Sequence, residues 1–444
     1  MKIVIIGAGE VGYSIAKALY TNNDVILIDK KEESCRRANE LDVQVLQGNG
    51  ANVNILNQAL PADLVVAVTG NDEINIVACI AAKLITKNKK PIMTIARVSS
   101  PDYINKPIAH RRSVGMDFMI CPELTLASEV AGIVSVPSAI GMDAFADGRV
   151  KMMEFRVDRN TTFDGMSLAD AEIPDCCVIS ALIRGKDILI PHGDDVMHEG
   201  DHVIVIGKPE SILEIEGMFG GMPGMRNKVM IVGAGIVGFY IANLLARRGD
   251  TDLKIIETDE ERCIEIAGML PDALVLHGDG TDEALLRSEG AGDMNVVIAT
   301  TDSDEKNLLC LLLVKQLGAK KIIAKVDRSE YMELFEMVGI DAALSPKQAT
   351  INGVLRVTMG AGVESLATVE GERAEIVELI ASPGAKVTKK PLGRVKFPKG
   401  AIVSVIVRNN EVIVPRGVHQ IRAGDRVVVF ALTSALPKVK KLFG

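Results

Sequence analysis

Short continuous apolar runs recur along this chain, and between them lie stretches whose apolar residues return at helical spacing. Runs that do not alternate with polar residues mark strands buried on both faces of a parallel sheet. Runs at 3–6, 25–28, 43–46, 64–68, 91–98 and 117–120 predict six such strands. Helical periodicity at 13–19 and 32–41, from Asn52 onward and at 73–85 places helices between them, with Asn71 or Asp72 as the cap of the last. Strict strand–helix alternation predicts a doubly wound parallel sheet. A further amphipathic helix is expected at 123–134, ending before Pro137. The period then changes, and runs at 150–157, 178–183, 187–191 and 201–206 read as strands of a smaller α+β lobe. The glycine-rich stretch 217–224, with one proline, reads as a flexible linker.

At residue 227 the pattern begins again. Aligning 1–19 with 227–245 gives 10 identities in 19 positions, with Gly7 on Gly233. The correspondence continues through Asp29 and Glu257, through Gly48-Asn49-Gly50 and Gly278-Asp279-Gly280, and through Ile95-Ala96-Arg97-Val98 and Ile323-Ala324-Lys325-Val326. It reaches the small lobe, where Gly200-Asp201 falls on Gly424-Asp425. The chain is a tandem duplication with a period near 226 residues. Its 444 residues exceed what one hydrophobic core supports. The expected domains are 1–134, 135–218, a linker at 219–226, then 227–358 and 359–444.

The chemistry lies at the end of the first run, where Gly7-x-Gly9-x-x-Gly12 separates a strand from a helix. Gly7 permits a tight bend, Gly9 lets backbone approach a pyrophosphate, and Gly12 allows close helix–strand packing. Free N–H groups and the positive dipole end of the helix then hold phosphates. Asp29 ends the second run 22 residues after Gly7, where a carboxylate accepts from ribose hydroxyls and repels a 2′-phosphate. The fold class is therefore α/β, with two tandem Rossmann-like sheets, each followed by a small α+β lobe.

The candidate ligand is NAD, as NADH or NAD+. In the first copy the site is expected from Gly7, Ala8, Gly9, Glu10, Val11, Gly12 and Asp29, with Asn49 and Gly50 on the adenine side. Thr69, Gly70 and Asn71 follow the fourth strand, and Asp72 reads as a plain helix cap. Arg97 ends the fifth strand, either as a forked contact to pyrophosphate or as a surface ion pair. In the second copy the same places hold Gly233, Ala234, Gly235, Ile236, Val237, Gly238, Glu257, Asp279, Gly280, Thr300, Thr301 and Lys325. Glu257 is one methylene longer than Asp29 and has Asp259 nearby, so the two sites are open to different nucleotides, with ATP or ADP at one of them.

Composition removes other classes. No segment reaches 18 consecutive apolar residues without a charge, so no bilayer span is expected. The chain opens directly on a strand with no basic leader, which reads as a cytoplasmic protein. Its net charge of −8, zero tryptophans and 3% aromatics argue against nucleic-acid binding. The seven cysteines form no CxxC pair and read as reduced, buried small hydrophobes; a redox role for adjacent Cys176 and Cys177 is the alternative. His192, His198 and His202 have zinc-like density but align with Arg416, Arg422 and Arg426, which cannot ligate metal. A solvated basic face is the expectation there, and no metal site. An NAD-dependent oxidoreductase is the alternative function. It needs a proton donor at the nicotinamide, and no His, Tyr or Lys is matched between the copies there apart from Arg97 and Lys325.

Across essentially all 444 residues this order of parts resembles the TrkA family, regulatory subunits of Trk potassium-uptake systems built from tandem RCK (KTN) domains. The resemblance rests on Gly7 to Gly12, on Gly48-Asn49-Gly50 with its copy, and on the Gly-Asp of each lobe. It implies a non-enzymatic sensor that forms a homo-oligomeric ring, a dimer or tetramer, on a membrane potassium-transporting subunit. The ring would be peripheral on the inner face of the cell membrane. Occupancy by NAD(H), and by ATP or ADP, would gate the pore through hinges near 134–137 and 357–362. The helix 123–134 and its copy from Lys347 are where the family packs sheets across subunits. Asn49 departs from the aspartate more usual in the family.

Overall fold

The computed structural model describes all residues except 88–90, 105–115, 137–138, 159–160, 162, 186, 220–225, 359–362 and 370–372. Most of the expected linker, His110, Pro137 of the first expected hinge and residues 359–362 of the second lie outside the described residues.

The first sheet is built from β1 (Lys2–Ile6), β2 (Asp24–Asp29), β3 (Gln44–Gln47), β4 (Leu64–Ala67), β5 (Met93–Arg97) and β6 (Phe118–Ile120). The strands are parallel in the order β3-β2-β1-β4-β5-β6. Ile3, Val4, Ile5, Val65 and Val66 are wholly buried, as continuous apolar runs in a two-sided parallel sheet require. Helices α1 (Glu10–Leu19), α2 (Glu32–Ala38), α3 (Val53–Ala59), α4 (Asp72–Thr86) and α5 (Pro101–Ile104) fill the connections, and α6 (Pro122–Ser135) follows the last strand. The chain reverses its direction of winding between β1 and β4, so the crevice at their carboxyl ends is the place for a ligand.

The first lobe contains β7 (Ala139–Phe145), β8 (Val150–Arg156), β9 (Cys177–Arg184), β10 (Asp187–Leu189), β11 (His202–Gly207) and α7 (Pro209–Met218). Its five strands form an antiparallel sheet in the order β10-β9-β11-β8-β7. Two elements differ from the expectation. Strand β7 was illegible because Gly141 and Asp143 interrupt its apolar pattern. Helix α7 continues to Met218, and Phe219 is buried with its ring stacked on Phe155 at 4.5 Å, so the glycine-rich stretch is anchored where it starts.

The second repeat follows the same plan. Its parallel sheet, β14-β13-β12-β15-β16-β17, uses β12 (Asn227–Val232), β13 (Thr251–Glu257), β14 (Leu274–His277), β15 (Val296–Ala299), β16 (Lys321–Lys325) and β17 (Ala342–Leu344). Helices α8 (Ile236–Ala246), α9 (Glu260–Met269), α10 (Glu283–Ser288), α11 (Asp304–Leu317) and α12 (Met332–Met337) connect these strands, and α13 (Pro346–Thr358) follows. The second lobe has β18 (Val363–Val369), β19 (Ala374–Ile380), β20 (Ala401–Arg408), β21 (Glu411–Ile413), β22 (Arg426–Leu432) and α14 (Leu436–Phe443). Its order, β18-β19-β22-β20-β21, repeats that of the first lobe.

Packing crosses the order of the chain. One compact unit holds 1–126, 326–329 and 344–358, and the other holds 127–325, 330–343 and 359–444. In the first, Ile351, Val354 and Leu355 of α13 share a buried core with Val11, Ile15 and Leu19 of α1. In the second, the amide of Asn227 at the start of β12 donates to the Val134 carbonyl near the end of α6 at 3.1 Å. The Arg248 guanidinium in the same unit donates to the Ser135 hydroxyl. Each repeat thus lends its last sheet-domain helix to a unit containing the other repeat's sheet. Also within the second unit, the two lobes share a core that includes Phe145, Ile204 and Ile206 with Ile376, Val405 and Phe430. The wholly buried Ser180 and Ser404 hydroxyls meet at 2.9 Å inside it.

Candidate nucleotide sites

At the first crevice Gly7 takes φ +102°, a conformation that side chains rarely adopt. A Cβ on Gly12 would lie 1.8 Å from the Gly7 carbonyl oxygen, so only glycine permits α1 to start so close to β1. Gly9 behaves differently. A Cβ there meets nothing within 4 Å, and the residue caps α1 with no side-chain hydrogen bond to the first turn. Its open face and the unsatisfied N–H groups behind it are what an anion needs. Gly50 serves packing, because a Cβ would come within 2.1 Å of Ile6. Ala8 and Val11 are buried in the same turn.

The Asp29 carboxylate closes the crevice. Oδ2 accepts from the Ala8 amide at 2.7 Å and Oδ1 from the Lys31 amide at 2.8 Å. A carboxylate has about four lone-pair positions, so two remain for a ribose diol. A cavity of about 360 Å³ lies between this carboxylate and the loop after β4. Its walls are Ile6, Gly7, Gly9, Ile28, Asp29, Lys30, Lys31, Ser34, Gly48, Asn49, Gly50, Val68, Thr69, Gly70, Asn71 and Ile74. Asn49 Oδ1 accepts from the Ala51 amide at 2.9 Å, which turns the side-chain amide nitrogen into a spare donor. Glu10, Val11, Gly12 and Arg97 stand outside the lining.

One expectation is corrected, and one left open between two alternatives is placed. Asn71 is the cap of α4, accepting from the Ile74 amide at 2.8 Å, whereas the Asp72 carboxylate accepts from the Ser99 and Ser100 amides at 2.9 and 2.7 Å. Asp72 therefore ties α4 to the segment after β5 instead of capping its own helix. Arg97 takes the ion-pair alternative, with Glu123 at 3.8 Å. A residue used in the sequence only for alignment organises this end of the sheet. Asn75 is wholly buried, accepts from the amide and hydroxyl of Thr69 at 2.9 and 2.7 Å, and donates to the Arg97 carbonyl at 2.9 Å.

The second crevice has the same frame. Gly233 takes φ +93°, Gly235 is open, and Cβ atoms on Gly238 and Gly280 would meet Gly233 and Val232 at 2.0 and 2.2 Å. Ala234 and Val237 are buried, while Ile236 is exposed. Asn307 repeats the Asn75 clamp, accepting from Thr301 and donating to the Lys325 carbonyl at 3.0 Å. Thr300 is buried with its hydroxyl on the Gly233 carbonyl at 2.8 Å, so its side chain serves the turn. Lys325 Nζ donates to the Thr301 carbonyl at 3.2 Å.

The carboxylate here is more heavily used. Glu257 Oε2 accepts from Ala234 at 2.6 Å, and Oε1 accepts from the Thr258 amide, the Thr258 hydroxyl and the Asp259 amide at 2.7, 3.1 and 3.0 Å. Burial pushes this carboxyl up, but the amides of Ala234, Asp259 and Thr258 outweigh it and hold it below the usual range. The amide and hydroxyl of Thr281 likewise hold Asp279 low. Arg262, unforeseen from sequence, donates from Nε to the Ala234 carbonyl at 2.9 Å. In the repeat it occupies the place of Ser34, which lines the first cavity.

Elsewhere the described residues resolve other candidates. His192 is exposed, and His202 Nδ1 lies 2.7 Å from Glu154, an ion-pair position that Arg426 fills with Glu378 in the second lobe. Six of the seven cysteines are buried, and burial pushes the Cys79, Cys121, Cys177 and Cys310 thiols up to about 12. Such thiols stay protonated and serve as packing groups.

Fold and sites define a duplicated nucleotide-binding protein whose sheets alternate with small antiparallel lobes. The TrkA-N domain family matches residues 3–122 and 229–346, and the TrkA-C domain family matches 152–220 and 376–444. The chain is 56% identical over the full length of both proteins to the Trk system potassium uptake protein TrkA homolog 1 of Methanosarcina mazei. It is 31% identical to the Trk system potassium uptake protein TrkA of Haemophilus influenzae, covering all of this chain and 98% of that one. The GsuK channel has a similar fold, with a TM-score of 0.63 at 17% identity over 99% of this chain and 78% of that chain. The same channel solved bound to NAD gives 0.61 at 18%, over the same shares. This chain belongs to the TrkA family of Trk system potassium uptake proteins.

Proposed function

We propose that this chain is the nucleotide-sensing regulatory subunit of a potassium uptake system. It binds NAD(H) at the first crevice, binds NAD(H) or ATP/ADP at the second, and controls ion flux through a membrane potassium-transporting partner. The observation that carries the reading is the pair of complete glycine-loop and carboxylate frames followed by lobes that pack on each other. The names of the full-length relatives and the NAD-bound GsuK channel support it. Among the described residues no helix is long and apolar enough to cross a membrane, so the pore is assigned to a partner. The proposed assembly is a homo-oligomeric ring on the inner membrane face. The candidate residues on the open faces of both crevices are proposed as ligand contacts, whereas Gly12, Gly50, Gly238, Gly280, Thr300 and Arg97 are proposed to hold the frame and Glu10 to stand beside the phosphate without holding it.

Chemically, the first crevice offers amides to a pyrophosphate, two free lone pairs to a ribose and the Asn49 amide to a purine. The proposed role is non-enzymatic. Nucleotide shifts a conformational equilibrium only if the two states bind it unequally. Differential affinity must therefore reside in groups near the crevices that rearrange.

Calorimetric titration with NADH, repeated in excess ATP, tests this reading. About two sites per chain, or one NADH site with ATP at the other, supports it when joined to nucleotide-dependent potassium flux in vesicles holding the partner. A single site with steady NADH oxidation by any of a panel of carbonyls would hand the chain to the oxidoreductases.

A further inference from the structure

The first crevice carries a charge that a phosphate site should avoid. Glu10 is the first residue of α1, one position after the open Gly9, so its carboxylate stands beside the N–H groups offered to an anion. This suits the helix dipole, but it opposes a bound phosphate. The second crevice holds the uncharged Ile236 at this place. Glu10 does not stand alone. Lys347, the second residue of α13, places Nζ in an ion pair on Glu10 Oε2, with the two side chains 31% and 37% exposed. That lysine comes from the other repeat, and its helix is seated in the first unit by Ile351, Val354 and Leu355.

We infer that Lys347 is a phosphate-sensing residue of the first nucleotide site, exchanging Glu10 for the terminal phosphate of a nucleoside di- or triphosphate. The inference rests on the reading of that crevice as a nucleotide site. A phosphate over Gly9 offers the ammonium a second anionic partner at the same helix end. The terminal phosphate of ADP or ATP carries an extra ionisation and free oxygens, whereas each phosphate of a dinucleotide bridge has one charge and no free end. Lys347 therefore favours ADP and ATP over NAD(H), and Glu10 restrains all three. Because the sensing group sits on α13, occupancy of the first repeat's site is registered on a helix of the second.

The test uses the full chain in a Gly235→Asp background. Gly235 has φ −60° and open space at its Cβ position, so aspartate fits there and blocks phosphate at the second site only. Calorimetry with ADP, ATP and NADH then reads the first site. Lys347→Gln should weaken ADP and ATP about tenfold and NADH less than about threefold, with Lys347→Arg restoring most of the loss. Glu10→Gln should tighten ATP about threefold. Equal loss for all three ligands, or none, overturns the inference, as does a Glu10→Gln variant that binds ATP more weakly. A chain in which none of the three binds in this background overturns the nucleotide reading as well, whereas tight binding indifferent to Lys347 overturns this inference alone.

Discussion

Single residues decide whether the crevices exist. Gly9 and Gly12 sit in one motif yet answer to different physics, one open to solvent and one 1.8 Å from a carbonyl once a Cβ is added. Gly12→Ala should therefore cost about 2–3 kcal/mol by overpacking. Gly9→Ala should leave the melting temperature unchanged and weaken NADH about tenfold, which thermal melts and titration separate. The lobes have their own critical residue. Asp201, almost wholly buried, holds Arg184 through a fork at 2.8 and 2.7 Å. Burial pushes its carboxyl up, but Arg184 and the His198 amide outweigh that and hold it below the 3.8 of an unfolded chain. The stability it contributes is full above that unfolded value and is lost as pH falls toward the lower folded one. Asp201→Asn should cost about 2–3 kcal/mol at pH 7 and flatten the acid limb of the stability curve below pH 3.8.

At the scale of elements, the decisive feature is that α13 completes the core beneath α1. Its Val354 is wholly buried there, far in sequence from the strands it covers. Val354→Asp places an unpaired charge in that core and should cost several kcal/mol. Hydrogen exchange should show the loss of protection in α1 and β1, whereas a role confined to the second repeat would place it in β12 and α8. The candidate sites were legible at this scale to different depths. The glycines and Asp29 were readable because turn geometry and ribose recognition demand fixed residue types at fixed spacing. Asn75, Arg262 and Lys347 were not, because their roles depend on which carbonyl or carboxylate folding brings within reach. Asn75 and Asn307 stood aligned in the repeats, which was the one available signal. Asp72 misled because an acidic residue at a helix start satisfies the capping pattern even when its carboxylate points to another segment.

For the whole molecule, a buried cation marks where the first lobe meets the second sheet within one unit. Lys321, at the head of β16, donates from Nζ to the Ala139 carbonyl that opens β7, with Asp341 and Glu216 acting on it. Burial pulls its ammonium down to about 8, against the attraction of those carboxylates. Below pH 8 it is charged whether folded or not. Between about 8 and 10.5 the unfolded chain holds the extra proton, so stability should rise with pH across that window. Lys321→Met should abolish the rise, as urea titrations at stepped pH would show. Nothing in the sequence signalled this lysine's role, since Met93 stands at its place in the first repeat and is exposed.

The sequence by itself determined what repeats locally: strand and helix order, the duplication, the two glycine turns, and the carboxylates 22 and 24 residues after Gly7 and Gly233. These follow from side-chain periodicity and from backbone conformations that few residue types allow. Tertiary structure alone decided that the repeats exchange α6 and α13, that their lobes share one core, and that Lys347 of the second repeat meets Glu10 of the first. Each of these joins segments far apart in the chain. An apolar helix face specifies that it must be buried and leaves open which sheet will bury it.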